Sequence, residues 1–76
     1  MRTVVEVTAE LTASVVRVVA AVGSLVAEDD TLLVVETMKM EIPIPAPVSG
    51  RVEALQVGPG DIVAEGDVLA VVTADG

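Results

Sequence analysis

Seventy-six residues allow one small domain, read as spanning residues 1–76, and the absence of cysteine removes disulfides and thiolate metal sites as aids to its packing. A formal charge of −8, with Arg2, Arg17, Lys39 and Arg51 the only cations and no aromatic side chains, excludes ordinary nucleic-acid binding, because phosphates are repelled and bases find nothing to stack on. Charges or prolines interrupt every apolar run before the roughly 18 residues of a spanning helix, and residues 1–10 lack the apolar stretch of a secretory signal, so no membrane association and a cytoplasmic location are expected.

Valine occurs eighteen times, and with no Phe, Tyr or Trp the core must be built from β-branched aliphatics, which favours strands. In chain order the strands are expected near Thr3 to Val7, Val15 to Val19, Leu25 to Val26, Leu32 to Glu36, Met40 to Ile44, Gly50 to Leu55, Ile62 to Val63 and Val68 to Thr73. Turn signals separate them at Gly23-Ser24, Glu28-Asp29-Asp30, Gly58-Pro59-Gly60 and Glu65-Gly66-Asp67. A helix through Ala9 to Val22 competes for the second strand, but Val15, Val16, Val18 and Val19 disfavour it. Pro43, Pro45 and Pro47 lack donor N–H groups and suit an edge strand that leaves a hairpin, rather than a linker between domains.

A shift of 37 residues lays Gly23 to Val35 on Gly60 to Val72 with eight of thirteen positions identical, and the matches include Gly23 with Gly60, Glu28 with Glu65 and Asp30 with Asp67. The chain is therefore read as two copies of one unit, approximately 9–39 and 46–76, each too small to bury its own apolar face. Eight short strands in two related halves predict an all-β flattened barrel, or sandwich, of two four-stranded antiparallel sheets with a pseudo-two-fold axis. Period-two alternation predicts that Leu32 and Val34, with their matches Leu69 and Val71, face the interior. The acidic cluster Glu28-Asp29-Asp30 reads as a solvated turn; its copy Glu65-Gly66-Asp67 supplies no further metal-ligand set.

Lys39 is the only lysine, and it falls between two expected strands where the chain must reverse. Two-residue hairpins favour Asn-Gly or Asp-Gly, since both central residues take positive φ, and Met38-Lys39 departs from that preference. A local rule broken inside a consistent sequence points to function. A hairpin tip by itself is also compatible with an ordinary solvated Lys39 and with Met38 and Met40 as core fillers.

The run Glu36-Thr37-Met38-Lys39-Met40-Glu41 resembles the biotin attachment motif of biotin carboxyl carrier domains, in the biotinyl/lipoyl attachment family. The resemblance extends over essentially the whole chain, through Pro45-Ala46-Pro47-Val48-Ser49-Gly50 and the segment Gly60 to Leu69, and it is to a short stand-alone biotinylated protein. Thr37 stands where alanine is commonest, Ala13 where glycine is frequent, and no insertion resembles the thumb loop of some carriers.

The resemblance implies a barrel of two four-stranded sheets with the lysine on a protruding turn. It implies biotin bound covalently to Lys39, Met38 and Met40 as flanking specificity residues, and Glu36, Thr37 and Glu41 as tip context. The implied partners are biotin protein ligase and the biotin carboxylase and carboxyltransferase components of a biotin-dependent carboxylase, an acyl-CoA carboxylase of fatty acid biosynthesis for example. The carrier itself is expected to be non-catalytic: with no His and no Cys, an enzyme lacks the usual acid, base and nucleophile. Lipoyl domains share the fold and are the nearest alternative, although they usually have Asp before the lysine and a small residue after it. An unmodified acidic interaction module is the alternative of another class.

Overall fold

Extended backbone follows the β-branched runs throughout the computed structural model, which describes residues 2–75. The strands are β1 (Arg2–Thr8), β2 (Ala13–Val18), β3 (Leu25–Val26), β4 (Thr31–Thr37), β5 (Met40–Pro45), β6 (Gly50–Leu55), β7 (Ile62–Val63) and β8 (Val68–Asp75). Each lies within a few residues of its expected place, and Ala13–Val18 is strand rather than helix. The valines there lose little by extension and would lose rotamer freedom in a helix.

Two antiparallel four-stranded sheets result, one in the order β1-β8-β6-β3 and the other β5-β4-β2-β7. An offset of 37 residues relates the two arrangements, since adding it takes β1 to β5 and β3 to β7 while subtracting it takes β8 to β4 and β6 to β2, so the pseudo-two-fold relation is built into the strand order. Pro43 and Pro45 sit on β5, an edge strand, where a missing N–H costs no ladder bond.

The turns show how the copies depend on each other. The Asp30 carboxylate accepts from the Ala27 N–H at 2.9 Å, and Asp67 accepts from the Ala64 N–H at 2.8 Å. Ser24 Oγ and Asp61 Oδ2 accept from the N–H groups of Ala21 and Gly58 in the same manner. These bonds are local, but the backbone of each turn is tied to the other copy. The Gly23 N–H donates to Val52 O and the Gly60 N–H to Val15 O, both at 2.8 Å; the Asp29 N–H donates to Ala46 O and the Gly66 N–H to Ala9 O. A half chain would leave these donors without their acceptors, a cost added to its exposed apolar face.

One expectation is corrected. Val34 is buried and Val71 half-buried, but neither joins the interior cluster, which takes Leu32, Leu33 and Val35 from β4 and Leu69, Ala70 and Val72 from β8. The reason is a pair of equivalent bulges. Thr31 pairs with Pro45 and Leu33 with Ile44, so Leu32 is an extra residue; Val68 pairs with Thr8 and Ala70 with Val7, so Leu69 is its counterpart. An inserted residue reverses the alternation, and two successive side chains then point inward. Leu32, Leu33, Leu69, Val52 and Val72 are fully buried and anchor the core, each contributing about 1.5–3 kcal/mol of transfer free energy.

Symmetry also exposes a strained position. Asp29 has φ 75°, whereas its counterpart Gly66, at φ 90°, takes that conformation without a Cβ penalty. Relief of about 1–2 kcal/mol of steric cost, less about 0.5–1 kcal/mol for the added freedom of the unfolded chain, predicts a small stabilisation by Asp29→Gly. The expected rise in Tm is about 2–4 °C. A lower Tm by calorimetry would show that the Asp29 side chain holds the turn.

Candidate functional site

β4 and β5 form a two-residue hairpin. Val35 pairs with Ile42, Glu36 with Glu41 and Thr37 with Met40, leaving Met38 and Lys39 as the turn. Both turn residues lie in the left-handed region, Met38 at φ 50° and Lys39 at φ 65°, as the hairpin reading requires. Each is a side chain that the backbone alone would not select there. Val35 is held in the core cluster and Ile42 packs against it, so the base of the hairpin is anchored while its end projects.

The end is open to solvent. Met38 is 90% exposed and Met40 62%, so neither fills the core; Lys39, Glu36 and Glu41 are exposed as well, and Thr37 is half-buried. Among the described residues the three arginines are each engaged, Arg2 with Glu53, Arg17 with Glu41, and Arg51 with the Gly23 carbonyl. Among the described residues, no hydrogen bond or ion pair holds the Lys39 ammonium. All six residues singled out in the sequence therefore lie together in the projecting hairpin.

Arg17 is the neighbour that sequence reasoning did not supply. Glu36 and Glu41 are directly opposed across the hairpin, an unfavourable like-charge pair. Arg17, on β2, places Nη1 at 3.3 Å from Glu41 Oε1 and offsets one of these charges. Both side chains are more than half exposed, so the bond itself contributes about 0–1 kcal/mol. The irregularity between Val15 and Arg17 sets which way Arg17 faces, and no local pattern announces it.

Because Met38 occupies an unfavourable φ without packing, Met38→Asn is expected to stabilise the domain by about 0.5 kcal/mol, a rise of about 2–4 °C in Tm. A melting curve in which Met38→Asn is less stable than the parent would reveal contacts of Met38 that support the fold.

Chemically, the site offers one primary amine on an anchored scaffold, bordered by two flexible thioethers and two carboxylates. Such an amine can be acylated by an enzyme that closes over the tip.

Comparison with known proteins gives consistent results. The profile of a family described as "Biotin-requiring enzyme" matches residues 3–75. A "Biotinylated protein TB7.3 homolog" from Mycobacterium leprae is 43% identical over 68 residues, covering 90% of this chain and 96% of that protein. The dihydrolipoyllysine-residue acetyltransferase component of the pyruvate dehydrogenase complex of Mycoplasma genitalium is 38% identical over 58 residues, 76% of this chain and 15% of that protein. Among solved structures, the urea carboxylase of Kluyveromyces lactis superposes with a TM-score of 0.87 at 34% identity, covering 92% of this chain and 6% of that one. The chain thus spans nearly all of one relative and a small part of the others.

Proposed function

This chain belongs to the biotin and lipoyl attachment family, and from that premise we propose that it is a biotin carboxyl carrier whose Lys39 bears the biotin. The observation that carries the reading is the Met38-Lys39 turn: both residues at positive φ, the ammonium free of partners, and both flanking thioethers exposed. The similarity to a biotinylated protein along nearly its whole length supports biotin over lipoate. The flanks support it too, since lipoyl domains usually place Asp before the lysine and a small residue after it.

Attachment requires of the chain only a nucleophile and its presentation. Deprotonated Lys39 Nζ attacks the acyl carbon of biotinyl-adenylate on a biotin protein ligase, a C–N bond forms, AMP leaves, and the amine's remaining surplus proton goes to solvent or a ligase base. Met38 and Met40 give the ligase an apolar grip on either side of the amine, and the hairpin register keeps that grip in place. Once attached, biotin supplies a ureido nitrogen able to hold an activated carboxyl group. The domain's part in carboxyl transfer, in the cytoplasm, is to let the flexible lysyl arm visit the carboxylase and carboxyltransferase sites, raising local concentration at each. It catalyses neither half-reaction.

Co-expression with a biotin ligase and a lipoate ligase, followed by intact mass, tests the reading. A single biotinyl adduct is expected. A lipoyl adduct without biotin assigns the chain to the other branch of its family.

A further inference from the structure

The tip also carries a reactivity that biotin attachment does not consume. The chain contains no Cys, Trp, Tyr or His, so methionine thioethers are its oxidant-sensitive side chains. Two of the three methionines border Lys39, and they are 90% and 62% exposed; Met1 lies outside the described residues. Between Glu36 and Glu41 they are also the only apolar side chains, so the apolar character of the tip resides in two sulfurs and their methylenes.

We propose that Met38 and Met40 form an oxidation site at which a peroxide controls enzyme access to Lys39, with Met38 reacting first. The control of access rests on Lys39 being the attachment lysine. In the reaction a thioether lone pair attacks one peroxide oxygen, the O–O bond breaks and an S–O bond forms. The sulfur loses two electrons, and hydrogen peroxide leaves as water. The product sulfoxide is reversible, since methionine sulfoxide reductases return it to the thioether at the expense of thiols.

Structure supplies both the order and the consequence. Met38 sits in the turn with no cross-strand partner, while Met40 is paired across the hairpin with Thr37 and is less exposed, so Met38 meets solvent oxidant sooner. Neither belongs to the core or packs against it, so oxidation leaves the fold in place. What changes is the surface beside the amine. An enzyme closing over Lys39 must then desolvate a strongly polar S–O group where it formerly met an apolar thioether, and a buried acceptor without a partner is costly.

The test uses the full-length apoprotein treated with limiting hydrogen peroxide, with peptide mapping to locate added oxygen and circular dichroism to follow the fold. Biotinylation by a biotin ligase, with biotin and ATP, is then timed by intact mass. Oxygen is expected on Met38 before Met40 with an unchanged spectrum, and ligation is expected to slow by roughly tenfold. Reduction by methionine sulfoxide reductases A and B should restore the rate. In Met38→Leu, the ratio of treated to untreated rate should move toward one, whatever that variant's own rate. Equal rates for oxidised and untreated parent protein overturn the proposal alone, as does an equally large slowing in Met38→Leu. No biotin on the untreated parent overturns the assignment of Lys39, and the control of its access with it.

Discussion

Lys39→Arg is expected to fold like the parent and to carry no biotin at all. Arginine keeps the positive charge and the length of the side chain, and its backbone is no less suited than lysine's to the φ of 65° at this turn. Its guanidinium, however, stays protonated at any physiological pH and offers no free amine to attack an acyl-adenylate. Because the Lys39 side chain is exposed and, among the described residues, has no bonding partner, stability should stay within about 0.5 kcal/mol of the parent. The measurements are a streptavidin blot and intact mass after co-expression with ligase, together with a melting curve. Lys39 is the only lysine, so biotin at parental levels on the variant would have to reside on a group other than a lysine side chain, and the proposed site would fall.

The largest effect on stability is expected at Gly50. A Cβ built there collides with Thr73 O and lies 2.8 Å from Thr73 C and 3.1 Å from Ala74 Cα, all atoms of the β8 main chain. Contacts this short are not relieved by a rotamer change, because the obstacle is backbone. Nor can β8 retreat easily, since Thr73 is paired with Val4 of β1 on one side and Arg51 of β6 on the other. Gly50→Ala is therefore expected to cost about 3 kcal/mol or more. A domain of this size has a total stability of only about 4–11 kcal/mol, so Tm should fall by at least about 12 °C or folding should fail. Gly58→Ala is the control, for nothing lies within 4 Å of a Cβ there and its φ is not positive. It is expected to be neutral or to gain about 0.4–1 kcal/mol by restricting the unfolded chain. If the two substitutions gave matching denaturation curves, the close approach of β8 to Gly50 would be refuted. The two-fold counterpart of Gly50 is Ala13, which carries a Cβ, so this close approach is confined to one sheet.

Each of these results draws on a different depth of information. The run Glu36 to Glu41 displayed its chemistry in sequence, because a lone lysine between two methionines occupied a turn that favours Asn-Gly. The Asp30 and Asp67 turns were legible for the same reason: an aspartate accepting from an N–H three residues earlier is a local event. The repeat carried the symmetry, since identical turn residues 37 apart dictate identical local geometry.

The inward face of β4 was not legible. Alternation counted from Leu32 placed Val34 in the interior cluster, and the bulge at Leu32 gave that place to Val35, leaving Val34 buried but outside the cluster. Arg17 was likewise hidden, being 24 residues from the Glu41 it contacts and aimed by a register irregularity.

By itself, then, the sequence determined the strands, the turns, the duplicated architecture and the amine at the tip, because backbone preference and side-chain chemistry act over a few neighbouring residues. Tertiary structure alone decided which side chains enter the core, which tip carboxylate is paired, and where glycine is required. Those outcomes depend on how strands from distant parts of the chain register against one another, and a single inserted residue reverses every side chain beyond it.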